Sequence, residues 1–135
     1  MTKKSILDVG NCGPDFASIT HLFHRFDCQV EQAHDKEDAL AALGSGEYAL
    51  VTINRKLDRD YSDGIEIIRA IKANPELAQV PVMLITNFPE HQDAAEALGA
   101  LRGFGKLEFE NPETIARLKV ILDPSNTAPI PRSLP

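Results

Sequence analysis

Five short apolar runs recur along the chain, each followed by a longer segment in which apolar residues return every three or four positions. The runs are Ser5 to Val9, Cys28 to Ala33, Tyr48 to Asn54, Val80 to Thr86 and a very short one near Leu101 to Gly105. Cys28 to Ala33 alternates like a half-exposed strand, whereas Tyr48 to Asn54 and Val80 to Thr86 are apolar up to their carboxyl ends, as strands covered on both faces are. Asp8 is an odd insertion into the first run.

The intervening segments predict helices. Asp15 is a plausible cap for the first, which sets Phe16, Ile19, Leu22, Phe23 and Phe26 on one face. Asp35, with Asp38 behind it, opens a second through Ala39, Leu40 and Leu43, with Gly44 or Gly46 as its stop. Gly64 begins a third, carrying Ile65, Ile68 and Ile71 with Ile67 beside them, which ends at Asn74 because Pro75 disfavours helical geometry before it. Pro89 to Leu98 forms a fourth, stopped by Gly99. Asn111 caps the fifth, Pro112 takes its first position, and Ile115, Leu118, Val120, Ile121 and Leu122 supply its apolar side.

Strand and helix in strict alternation imply a doubly wound parallel sheet with right-handed crossovers. The five-stranded, flavodoxin-like version is a three-layer α/β/α fold with strand order 2-1-3-4-5 and a crevice at the carboxyl ends of its strands. Gly10 and Asn11 after the first strand, Asn54 after the third, Thr86 after the fourth and Lys106 after the fifth then converge on one place. The domain is expected to span residues 1–122. Residues 123–135, with four prolines, read as a flexible tail or linker.

Composition narrows the function more than the fold. A net charge of −6 and the lack of any basic stripe argue against nucleic acid or an anionic membrane as partner. No apolar run approaches the ~18 residues that span a bilayer, and the amino terminus passes straight into a strand, so a cytoplasmic location is expected. Two cysteines, Cys12 and Cys28, are too few for a disulfide framework and read as buried or half-buried thiols.

Asp63-Gly64-Ile65-Glu66-Ile67-Ile68-Arg69, Pro81-Val82-Met83-Leu84-Ile85-Thr86, and Gly99-Ala100 followed by Lys106 stand in an order and spacing that resembles the receiver domains of response regulators, the CheY-like family. The resemblance covers residues 4–122. It implies a protein that takes a phosphoryl group from a phosphohistidine onto an aspartate ending the third strand. Mg²⁺ would be held by acidic groups after the first strand, and a Thr or Ser and a Lys would read the new charge. Here the acceptor position is Asn54, whose amide cannot form an acyl phosphate, and the acidic pair falls on Gly10 and Asn11 or, one register on, on Asn11 and Cys12, neither of which supplies a carboxylate. Thr86 and Lys106 survive as the phosphate-sensing pair. The loop after Asn54 is longer than usual and lacks its proline, Leu107 replaces the proline after the lysine, and Gly103 replaces the aromatic switch residue.

The expectation is therefore a pseudo-receiver: not an enzyme, with Mg²⁺ binding lost and no cofactor. It would signal by contact with a histidine kinase or another signalling protein, and residues 89–122 would offer a surface for that partner or for a homodimer. The alternatives are residual phosphotransfer at an unconventional Mg²⁺ site using Asp8, Asp58 or Asp60, or a small ligand in the vacated acidic pocket, for instance a phosphate on Gly10 to Gly13. His21 and His24 share a helix face but lack a third ligand. Lys106, without its acidic partners, is expected to bond Asn54 or a backbone carbonyl, with Asp8 a less favoured partner.

Overall fold

The computed structural model describes residues 4–122, so the expectation for the tail at 123–135 falls outside the described residues. Along the chain come β1 (Lys4–Val9), α1 (Gly13–His24), β2 (Cys28–Ala33), α2 (Lys36–Ser45) and β3 (Leu50–Asn54). They are followed by α3 (Gly64–Ala73), β4 (Val82–Ile85), α4 (Pro89–Ala97), β5 (Leu101–Phe104) and α5 (Pro112–Ile121). All strand pairs are parallel and the sheet order is β2-β1-β3-β4-β5, as the alternation implied.

The sheet separates two cores. Leu7, Val9, Val51, Ile53, Val82 and Leu84 point to the side covered by α2, α3 and α4, where Ala39, Leu43, Ile67, Ile68, Ile71 and Ala95 meet them. Ile6, Leu50, Met83 and Ile85 point to the opposite side, against Ile19, Leu22 and Phe23 of α1 and Leu118, Ile121 and Leu122 at α5. Burial of both strand faces is why β3 and β4 carry no alternation in sequence. No helix among the described residues is long and apolar enough to cross a membrane.

Most helix starts follow the expected capping chemistry. Asp35 accepts from the Asp38 amide at 2.9 Å, Asp63 from Ile65 at 3.0 Å and Asn111 from Glu113 at 2.9 Å. The first helix differs: it begins at Gly13 with Cys12 at the cap position and Pro14 in its first turn, so Asp15 lies inside the helix and caps nothing. Two apolar assignments also change. Val120 is exposed, and it is Ile67, with Ile68 and Ile71, that α3 buries, Ile65 being only partly covered. Cys28 is buried as expected, but Cys12 is exposed.

Two local features shape the carboxyl edge of the sheet. A Cβ on Gly64 would run into the Asn54 carbonyl, so glycine is what lets α3 start directly against the tip of β3. Between β4 and β5 the register slips, Leu101 facing Met83 but Phe104 facing Ile85. The Gln92 side chain of α4 fills the irregularity: its Nε2 donates to the Leu84 and Thr86 carbonyls at 2.9 and 3.3 Å, and its Oε1 accepts from the Gly103 amide at 2.8 Å.

Candidate functional site

The loops after β1 and β3 meet at the carboxyl edge of the sheet. Gly10 has a φ of +78°, and a Cβ there would strike Leu57, so this turn is specific to glycine. The turn directs the Gly10 carbonyl across the crevice, where it accepts the Asp58 amide at 3.0 Å and the Asn54 Nδ2 at 3.3 Å. Asn54 Nδ2 also donates to the Lys56 carbonyl at 2.7 Å. Gly10 and Asn54 are thus brought together, and what joins them is an amide donating to main-chain oxygens.

Asn11 lies deeper than expected. It is fully buried, and its Nδ2 donates to Asp8 Oδ1 at 2.8 Å. Asp8 sits in register with Thr52 across the β1–β3 ladder, and the Thr52 hydroxyl donates to the same Oδ1 at 2.8 Å. The strand pattern places Asp8 and Thr52 on the sheet face that carries Ile6 and Leu50, under α1 and α5. Burial pushes the Asp8 carboxyl up to about 6 from 3.8, against the opposing pull of the Thr52 and Asn11 hydrogen bonds and of the Lys106 charge.

Lys106 does not bond Asn54, a backbone carbonyl or Asp8. Its ammonium pairs with Asp15 Oδ2 at 2.6 Å. The physical reason is the early start of α1: with Gly13 and Pro14 forming the first turn, Asp15 sits at the helix start beside the crevice, free of capping duty. This hydrogen bond with Lys106 holds the Asp15 carboxyl below its ordinary value, the Cys12 thiol at 3.3 Å adding to the effect. Thr86, largely buried, turns toward α4: its Oγ1 accepts the Phe88 amide at 3.3 Å and lies 3.2 Å from His91 Nδ1.

The acidic residues of the β3–α3 loop are spread among separate partners. Asp58 faces His34 at 3.7 Å, Asp60 accepts from both the amide and hydroxyl of Ser62, and Asp63 caps α3. Arg59 of the same loop bridges Asp35 and Asp38 at 2.9 and 3.2 Å. His21 and His24 are exposed on α1. Among the described residues no group of three or more His, Cys, Asp or Glu could hold a metal ion.

Sequence reasoning missed Thr52, Gln92 and Asp15 as builders of this region. Thr52 and Gln92 carried a usable signal, a hydrogen-bonding side chain within an apolar run and one at a position sharing a helix face with buried Ala95. Asp15 carried none beyond its charge, because its partner is set by how α1 docks.

This parallel sheet with helices on both faces and working loops at the carboxyl edge of β1, β3, β4 and β5 is the CheY-like architecture. The sequence matches the response regulator receiver domain over residues 16–104, and the chain belongs to that family. No curated protein matches it by sequence. Among solved structures it is similar to a response regulator from Chloroflexus aurantiacus, at 20% identity and TM-score 0.78 over 90% of this chain and 98% of that one. The chemotaxis response regulator CheY4 of Vibrio cholerae follows at 21% identity and TM-score 0.70, over 89% and 99%. The phosphorylated cyanobacterial phytochrome response regulator RcpA gives 17% and 0.72, over 96% and 100%. Receiver domains interact with histidine kinases and other proteins, and this chain is a signalling module of that kind.

Proposed function

We propose that this receiver does not accept a phosphoryl group and signals through protein–protein contact alone. The observation that carries the reading is Asn54 at the tip of β3, with its Nδ2 committed to the Gly10 and Lys56 carbonyls. An amide nitrogen used as a donor has no electron pair for phosphorus, and the amide oxygen carries no full charge to attack it. The donor set for Mg²⁺ is equally poor. Mg²⁺ takes an octahedron of hard oxygens built on carboxylates. Gly10 contributes only a carbonyl that already accepts from Asn54 and Asp58, Asn11 is buried against Asp8, and Asp15 is neutralised by Lys106. These residues do not fit the metal, and the reading assigns no catalytic residue.

The contact surface on this reading is the face of α4, β5 and α5, residues 89–122. Beside it Arg102, Leu107 and Arg117, with Thr86 and Phe88 just ahead of α4, line a cleft of about 280 Å³, and Phe88 and Leu107 are 56% and 87% exposed, apolar side chains at its rim. Incubation with Mg²⁺ and a small acyl phosphate, followed by intact-mass measurement, tests the central point. No adduct is expected; a stoichiometric phosphoryl adduct would overturn the reading.

A further inference from the structure

Asp8 and Asn11 are joined by a single side-chain hydrogen bond. Asn11 Nδ2 donates to Asp8 Oδ1, while the other Asp8 oxygen, Oδ2, and the Asn11 amide oxygen, Oδ1, are buried with no partner among the described residues. Both side chains are fully buried, where an unpaired polar atom is costly. The two orphans belong to the same two planar groups, and both are acceptors. A carboxylate beside a carboxamide gives one hydrogen bond and one opposition of lone pairs. A carboxylic acid beside a carboxamide gives two hydrogen bonds in a closed ring, and a single proton supplies what is missing.

We propose that in mildly acidic solution Asp8 of the folded protein is a neutral carboxylic acid, its Oδ2–H donating to Asn11 Oδ1, and that this proton fastens the β1–α1 loop to the sheet. The surroundings agree. Gln32 of β2 and Thr52 of β3, the register neighbours of Asp8, are uncharged. On the α1 side stand Cys12 and Asp15; from beyond β5 comes Lys106, whose charge favours ionisation but is held at 2.6 Å by Asp15. Desolvation outweighs these influences and raises the carboxyl to about 6.

Ionisation breaks the Oδ2–H bond, gives the proton to water and leaves its electron pair on Oδ2, opposite Asn11 Oδ1. The Asn11 amide must then turn away. Its backbone carbonyl accepts Gln32 Nε2 at 3.2 Å, and its neighbour Gly10 supplies the carbonyl that Asn54 and Asp58 bond, so the rearrangement reaches the floor of the crevice. The ligand to which this pocket responds is a proton, whether or not the domain accepts phosphate.

A ¹³C,¹⁵N-labelled full chain titrated by NMR between about pH 4 and pH 8 tests the proposal against the ordinary aspartate value of ~3.9. The Asp8 carboxyl carbon should titrate near 6 rather than 3.8, and the Asn11 side-chain NH₂ signals should shift with the same midpoint. Asp8→Asn offers an amide that can make both bonds without a proton, so it should fold and leave the Asn11 signals independent of pH. An Asp8 carboxyl still ionised at about pH 4, or Asn11 signals that ignore its titration, would overturn the proposal.

Discussion

Replacing Asp8 by Asn should stabilise the protein, and by an amount that grows with pH. In the unfolded chain the Asp8 carboxyl has its ordinary value of 3.8, whereas burial holds it at about 6 in the fold. Below pH 3.8 both states are protonated and the stabilisation from keeping Asp8 neutral is fully present. As pH rises the unfolded chain ionises first, and folding increasingly opposes that ionisation, until the contribution is lost once the folded carboxyl titrates near 6. A shift of roughly two units at ~1.4 kcal/mol each gives ~3 kcal/mol lost between about pH 4 and pH 7. The variant has no carboxyl to ionise and escapes that loss. Asp15, Asp35 and Asp60, whose carboxyls are held low, act oppositely: their stabilisation is lost as pH falls. They are common to both proteins and cancel in the difference. Urea unfolding of both proteins at a series of pH values reads the quantity directly. Parallel stability profiles, or a wild type that gains on Asp8→Asn as pH rises, would rule out a carboxyl held protonated by burial at Asp8.

Asn54→Asp should remain unlabelled by an acyl phosphate with Mg²⁺, because Gly10 and Asn11 still supply no acidic ligand; efficient Mg²⁺-dependent labelling by intact mass would contradict the assignment of the β1 loop. Gln92→Leu should cost roughly 2–4 kcal/mol in chemical denaturation, since it strips the bridge to Leu84, Thr86 and Gly103 inside the protein, and hydrogen exchange at the Gly103 amide should rise accordingly. A double-mutant cycle with Lys106→Met and Asp15→Asn should give a coupling of only ~0.2–1 kcal/mol, shrinking with salt, because both side chains reach water. Coupling above ~2 kcal/mol would place that pair among the fold's main supports.

The sheet order was legible because it depends on alternation alone: apolar runs of strand length separated by helical periodicity leave few topologies. Caps were legible where a side chain bonds an amide a few positions on, as Asp35 and Asn111 do. Asp15 was misread because Gly13 and Pro14 already start the helix, and its pairing with Lys106 depends on how α1 and the loop after β5 meet across the sheet. Such a contact leaves no local pattern. Val120 shows a second limit: apolar character near the end of α5 suggested a buried face, but the turn of the helix presents that residue outward. Asp8 was visible as an anomaly in its strand, yet its partners Thr52 and Asn11 emerge only from register and the turn at Gly10. The slip between β4 and β5 was invisible, because Gln92, which closes it, lies in another element.

The crevice is held by two kinds of bond that answer differently to dissolved ions. At its floor Asn54 is tied to carbonyls of Gly10 and Lys56, dipoles without net charge. At its rim Lys106 and Asp15 meet as full charges, each about one-third exposed to water. Electrolyte at physiological strength screens exposed charges over about 8 Å and leaves short bonds between neutral groups nearly untouched. Concentrated salt therefore loosens the rim while the strand tip keeps its shape, so the two ends of one small cleft can be stiffened or relaxed independently.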